Sequence, residues 1–389
     1  MKREIQMPCI PPEEFIARAR NMQNLINSKG YDAVLIFSTE SEPAGVRYFS
    51  DYWPSFETAG VLIPIEESPV LLIGPESLTF ARARSKIKTI IQMKDFRESS
   101  QPEYPGSTLP SWKDVIHQYH IRRIGICGWH MLPYSIYSAL VSELGHENIH
   151  DADEMLRSLT MYKSENELAC LRASARISEI AFQPVLEQIK PGMTEIELVG
   201  IATAAMLANG AETTGYPIWC CSGPNSIQAI SRPTYRQVKK GEIIHFSIGA
   251  RVSGYAASIG RPVVIGKCPD EIKKFLQVGL DAENLTIDLL RAGANAGEVA
   301  RTVHKYIQEK GYGKTILYGP AHGCGLMECE YPFVETNSRF VIEENMVFMA
   351  DIFLADKKMG FRWEDGVIVK KDKTEVMSSY GRQLNILEI

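Results

Sequence analysis

The sequence predicts two domains, an α/β unit over residues 1–160 and an α+β unit over residues 161–389. Three observations carry this reading. Helix and strand signals alternate through the first part, and strands bracketed by pairs of helices fill the second. Between them, Ser164-Glu165-Asn166-Glu167 has the form of a capping box, a strong helix-start signal. The chain has 389 residues, 45% hydrophobic and 23% charged, enough apolar material for two cores.

In chain order, Glu13 to Ser28 repeats apolar residues at helical spacing, with Gly30 as a stop, and Ala33-Val34-Leu35-Ile36-Phe37 reads as a buried strand. Residues 60–64 and 69–74 form a strand pair around the turn at 66–68, and 123–127 a further strand before a helical patch from Pro133. Residues 151–162 read as a linker helix. After the capping box at Ser164, the residues Leu168, Leu171, Ala175 and Ile180 recur at helical spacing. Thr194 and Glu197 repeat the device before a helix over 198–208. Helices follow at 270–290 and 297–310, the latter stopped by Gly311. Strands are expected at 242–250, 256–265, 346–353 and 366–370.

A net charge of −5 and a pI near 6.0 argue against a nucleic-acid binder, which usually carries a basic face. No apolar stretch approaches the roughly 18 residues of a membrane span, and the first residues lack the apolar centre of a signal peptide. The eight cysteines have neither zinc-ribbon nor disulfide-scaffold spacing, so reduced thiols and a cytoplasmic location are expected.

The chemistry gathers in four blocks. In His322-Gly323-Cys324-Gly325-Leu326 two glycines let the backbone approach closely and turn an imidazole into a cavity. The alternation of Val347, Met349 and Asp351 aims the aspartate to one face of a strand. Arg362-Trp363-Glu364-Asp365 sets charged residues just ahead of the strand expected at 366–370, and Ser247 and Ser258 flank a hairpin-like segment through Gly254. His245, two residues before Ser247, shares its face.

In order and spacing these blocks resemble the pita-bread (peptidase M24) family of methionine aminopeptidase, aminopeptidase P, prolidase and creatinase. The resemblance spans essentially the whole chain. It implies a creatinase/prolidase-type N-terminal domain over 1–160 and a pita-bread catalytic-type domain over 161–389. Metallo-members hold two divalent cations on two aspartates, a histidine and two glutamates. Here those positions read Ser247, Ser258, His322, Asp351 and Glu364. A neutral hydroxyl is a poor ligand for such ions, so a dinuclear centre is not expected. The remaining trio His322, Asp351 and Glu364 suits either metal-free acid–base chemistry or one divalent ion.

The resemblance also implies a supporting cast. Glu330 matches a glutamate that follows the family's second active-site histidine, and Cys329 stands in that histidine's place. Creatinase, the metal-free member, has a histidine where this chain has Ile230, a glutamate at Gly260 and an arginine at Thr58, so creatine hydrolysis is not expected. The loop 216–221, with Trp219, would make a snug apolar pocket. Arg261 and Arg362 would bind a substrate carboxylate. A homodimer is implied, with Trp53, Phe56 and Glu57 closing the partner's pocket.

The expectation is a metal-independent hydrolase of a C–N bond in a small polar molecule, needing no cofactor, with His322, Asp351, Glu364 and Glu330 as catalytic groups. Ser247, Ser258, Cys329, Arg261, Arg362, Trp219, Phe56 and His245 would contact substrate. Two alternatives stand beside it: a mononuclear Xaa-Pro peptidase-like enzyme or lyase, and a silent small-molecule-binding protein.

Overall fold

The computed structural model describes residues 7–388. It comprises two compact units, Ile10–Thr160 and the rest of the chain, Met1–Cys9 with Met161–Ile389.

In the Ile10–Thr160 unit the strands are β1 (Ala33–Ser38), β2 (Ala59–Pro64), β3 (Val70–Ile73), β4 (Thr89–Gln92), β5 (Ile124–Cys127) and β6 (Ile149–Asp151). They form one sheet in the order β4-β3-β2-β1-β5-β6. The β1–β5, β5–β6 and β3–β4 pairs are parallel, whereas β1–β2 and β2–β3 are antiparallel. The helix Pro12–Lys29 ends at Gly30, whose φ of 67° lies in the left-handed region that glycine tolerates at helix ends. Leu35, Leu62, Leu72 and Ile126 join Phe96, Trp112 and Leu140 in the core. The expected linker helix is shorter, Asp153–Thr160, because residues 149–151 pair as an edge strand.

The second unit carries β7 (Thr213–Thr214), β8 (Trp219–Ser222), β9 (Ile243–Val252), β10 (Tyr255–Ile265), β11 (Ala321–Gly323), β12 (Glu330–Val334), β13 (Val347–Ala355), β14 (Gly360–Val369), β15 (Thr374–Val376) and β16 (Asn385–Leu387). The main path runs β12-β11-β13-β14-β10-β9-β7, with β8 on β9, β15 on β14 and β16 on β10. Both expected capping boxes are present, opening the helices Glu165–Gln188 and Glu195–Ala208. These helices pack Phe182, Val185, Leu198 and Met206 against Phe246, Ile248 and Ile259. The helices Asp270–Leu289 and Ala296–Glu309 cover the other half through Phe275, Leu276, Val303, Ile352 and Trp363. Strand β14 starts at Gly360, six residues ahead of expectation. Its charged run is fully buried in the sheet, where Asp351 pairs with Glu364 and Phe353 with Arg362.

Candidate active site

Side chains alternate between the two faces of a strand, and the cores fix which face is which. On β9, Ile244, Phe246, Ile248 and Ala250 pack under the helices, which turns His245 and Ser247 to the opposite face. On β10, Ile259 and Val263 pack there too, leaving Ser258 and Gly260 on the site face. On β13, Phe348, Ala350 and Ile352 are core residues, so Met349, Asp351 and Phe353 are not. On β14, Phe361, Trp363 and Val367 are core residues, and Arg362 and Glu364 face the site. Trp219 on β8 lies opposite Ser247 and shares its face.

His322 enters from β11. Its Nε2 stands 3.7 Å from Glu364 Oε1 and 3.9 Å from Asp351 Oδ2, while its Nδ1 contacts the Gly323 carbonyl at 3.0 Å. A third carboxylate, Glu328, completes the group, and one ligating atom each from His322, Glu328 and Glu364 lie within 4.8 Å of one another. The Ser258 hydroxyl donates to Glu328 Oε1 at 2.8 Å. Asp351, beside His322, has two further partners. The Tyr318 hydroxyl donates to its Oδ2 at 2.8 Å and accepts from Arg362 Nη2 at 2.8 Å, and Arg362 Nη1 lies 3.4 Å from the same Oδ2. The Arg362 guanidinium stacks 5.0 Å over the Trp219 ring and 5.7 Å from that of Phe353.

Several polar atoms on this face have no hydrogen-bond partner although they are buried. They are Tyr216 Oη, Trp219 Nε1, His245 Nδ1, Ser247 Oγ, Asp351 Oδ1 and both oxygens of Glu364. Buried polar groups are ordinarily paired, so such a set marks a place for something polar to bind. Tyr216 packs against Trp219 with ring centroids 5.1 Å apart, and its ring lies over Gly249, where a side chain would meet it.

The charges are strongly coupled. Burial works against the His322 proton, but Cys329, Glu364 and Glu328 outweigh it and hold the imidazole well above its ordinary value. Burial and the Glu364 charge push the Glu328 carboxyl up to about 8, against His322 and Ser258. Burial likewise raises Asp351, opposed by Arg362. Glu364, although buried, is lowered by His322 and Arg362 together.

Some expected site residues lie elsewhere. Arg261 occupies the core side of β10, because it is three residues from Ser258. Its guanidinium is spent on Asp365 Oδ1 at 2.6 Å and on the carbonyls of Gly260, Glu364 and Tyr380. It cannot meet a substrate carboxylate. Glu330 pairs with Lys163 at 2.7 Å and accepts from Met327 N, so it braces the loop rather than joining the trio. His245 is on the site face, but its Nε2 bonds to the Ser226 carbonyl at 3.1 Å and its ring packs against Phe353. Cys329 is exposed yet interacts with His322. In the other unit Phe56 is 81% exposed, with φ of 60°. Glu57 is buried and accepts from Glu76 N, Ser77 N and Ser77 Oγ ahead of the helix Leu78–Arg84, which leaves it nothing to offer outward. Glu328 and Tyr318 were not expected at the site.

The comparisons agree with this architecture. The model of Metallopeptidase family M24 matches residues 169–371, and that of the Creatinase/Prolidase N-terminal domain matches residues 18–161. The chain belongs to the M24 family, with a creatinase-type N-terminal domain ahead of a pita-bread domain. It is 25% identical over 374 residues to an uncharacterized peptidase of Bacillus subtilis (YqhT), covering 95% of this chain and 100% of that one. It is 23% identical to an Xaa-Pro dipeptidase of Lactobacillus delbrueckii subsp. lactis, over 95% and 98% of the two chains. Among solved structures, an X-Pro aminopeptidase from Thermotoga maritima superimposes with a TM-score of 0.83 at 25% identity, covering 95% of this chain and 99% of the other. Among the described residues no helix is long and apolar enough to cross a membrane.

The family implies metal, and the donors present can be tested against it. Two ions do not fit: Ser247 and Ser258 offer neutral hydroxyls, and Asp351 is engaged by Tyr318 and Arg362. One ion does fit, on His322, Glu328 and Glu364.

Proposed function

We propose that this chain hydrolyses a C–N bond in a small polar molecule without a dinuclear metal centre. The observation that carries the reading is the convergence of His322, Glu328 and Glu364 on the face where Ser247 and Ser258 replace charged ligands. A divalent ion held by that trio would polarise the scissile group and lower the pKa of a bound water. The chain's own residues do the rest. Asp351, whose Oδ1 is unpartnered, takes a proton from the attacking water. Tyr216 Oη, Trp219 Nε1 and Ser247 Oγ, also unpartnered, are donors for the oxygen on which negative charge develops.

A metal-free version is the second reading, favoured by the 3.7 Å approach of His322 to Glu364. In it Glu364 accepts the water proton while the His322 imidazolium gives a proton to the departing nitrogen, so the amine leaves neutral. The homodimer, with Phe56 offered to the partner, is part of the proposal and is supported by that residue's exposure.

The test is a mass-spectrometric screen for amine release. It covers Xaa-Pro dipeptides, simple amides, amidino compounds and betaine-like compounds, with and without added divalent metal. Cleavage of at least one, lost in Glu364→Gln, is the expected result. No cleavage of any compound would favour a silent binding protein instead.

A further inference from the structure

We propose that the single cation seat of this chain is built on His322, Glu328 and Glu364, and that Glu328 supplies from a loop the carboxylate that strand β10 lacks. The inference deepens the reading above and depends on it only for the chemistry, since cation binding is measured without turnover.

The β10 side chain on the site face is Ser258, and it does not stand alone. Its hydroxyl donates to Glu328 at 2.8 Å, so a carboxylate arrives beside the hydroxyl from a residue 70 positions later in the chain. The loop that delivers it is pinned on both sides. Cys324 N bonds to the Val347 carbonyl at 3.1 Å and Gly325 N to the Met327 carbonyl at 2.9 Å, closing a tight turn. Arg251 holds the Leu326 carbonyl, and Lys163 holds Glu330 just beyond. Glu328 is thus directed inward, 9% exposed, while Cys329 next to it is exposed.

An independent observation points to a ligand here. Glu364 is fully buried and both its oxygens lack a hydrogen-bond partner. Its charged neighbours, His322 Nε2 at 3.7 Å and Arg362 Nη1 at 4.0 Å, lie beyond hydrogen-bond distance. A buried carboxylate short of hydrogen bonds is costly, and a cation would satisfy it. Asp351 is a different case, because its Oδ2 already accepts from Tyr318 and faces Arg362. The donor set of one imidazole and two carboxylates suits zinc, manganese, cobalt or iron(II) rather than a soft ion, and falls short of the oxygen count calcium takes. Three protein donors leave a position for water or substrate. In this scheme Ser258 is an outer-shell residue that orients a ligand.

The probe is cobalt(II) chloride titrated into metal-free full-length protein, followed by visible absorption and by isothermal titration calorimetry. Wild type is expected to saturate at about one cobalt per chain. Glu328→Gln should weaken binding by about 100-fold or more, and Ser258→Ala by roughly tenfold, the range for loss of an outer-shell partner. Asp351→Asn should cost at least about tenfold less than Glu328→Gln. If Glu328→Gln does not fold, Glu328→Asp, which keeps the charge but shortens the reach, should weaken binding by about tenfold or more. Wild-type affinity in a folded Glu328 variant would overturn the seat, as would absence of cobalt binding by wild type. Cobalt bound as expected with no C–N cleavage would retain the seat and sink the hydrolase. Cleavage without cobalt binding would do the reverse.

Discussion

Ser258 and Glu328, 70 residues apart in sequence, meet through a 2.8 Å hydrogen bond in the buried floor of the site. In the proposed cation seat this pair stands in for a strand carboxylate, the hydroxyl steering a loop carboxylate. In metal-free protein its two members should therefore be energetically coupled. A double-mutant cycle of Ser258→Ala and Glu328→Gln, read by urea unfolding, should give a coupling of about 1–2 kcal/mol. Additive effects would mean that the contact orients nothing.

Gly260 is a packing requirement of the candidate site's face. A methyl group there would lie 2.7 Å from Glu364 Cβ and 2.8 Å from Arg362 Cγ, with the Glu364 backbone nitrogen at 2.9 Å. Gly260→Ala must displace Glu364, Arg362 or the strand itself. Overpacking of this kind costs about 1–3 kcal/mol, so thermal denaturation should show the loss and cation affinity should fall with it. An unchanged melting temperature and affinity would show that the strands yield freely.

Arg261 is a structural residue. Its pair with Asp365 has both side chains fully buried at 2.6 Å, and Arg382 and Ser378 complete the cluster. Removing one partner of such a pair costs roughly 3–5 kcal/mol. Arg261→Met should therefore lower the unfolding free energy by that order in denaturant titration. A stable Arg261→Met protein with impaired substrate binding would restore the role expected from sequence.

His245 makes the fold sensitive to acid. Burial and the nearby Arg362 push its imidazole down to about 3 from 6.5. It stays neutral in the fold while the unfolded chain binds a proton below about 6.5. Its contribution is thus intact above that pH and is lost progressively as pH falls toward 3, by up to about 1.4 kcal/mol per unit. In urea unfolding at pH 7, 6, 5 and 4, His245→Gln should lose stability less steeply than wild type. Parallel slopes would place the acid sensitivity elsewhere.

The fold was legible because its signals are local. The capping boxes at Ser164 and Thr194 and the alternation through Val347, Met349 and Asp351 each depend on residues a few positions apart. The same alternation applied from Ser258 would have turned Arg261 away from the site. Glu328 was illegible for a physical reason: residues 324–329 lie between β11 and β12, in neither strand, so no period says which way a side chain points. Its position depends on Arg251, Lys163 and Val347, all distant in sequence. Tyr318 likewise gains its role only through Asp351 and Arg362, which meet it across the sheet.

The most direct test of the account is metal stoichiometry by elemental mass spectrometry. The protein would be purified without an affinity metal column and equilibrated in turn with manganese, cobalt, zinc and iron(II). About one ion per chain, lost in both His322→Ala and Glu328→Gln, is the expected result. Two ions per chain, or one that survives loss of Glu328, would contradict it.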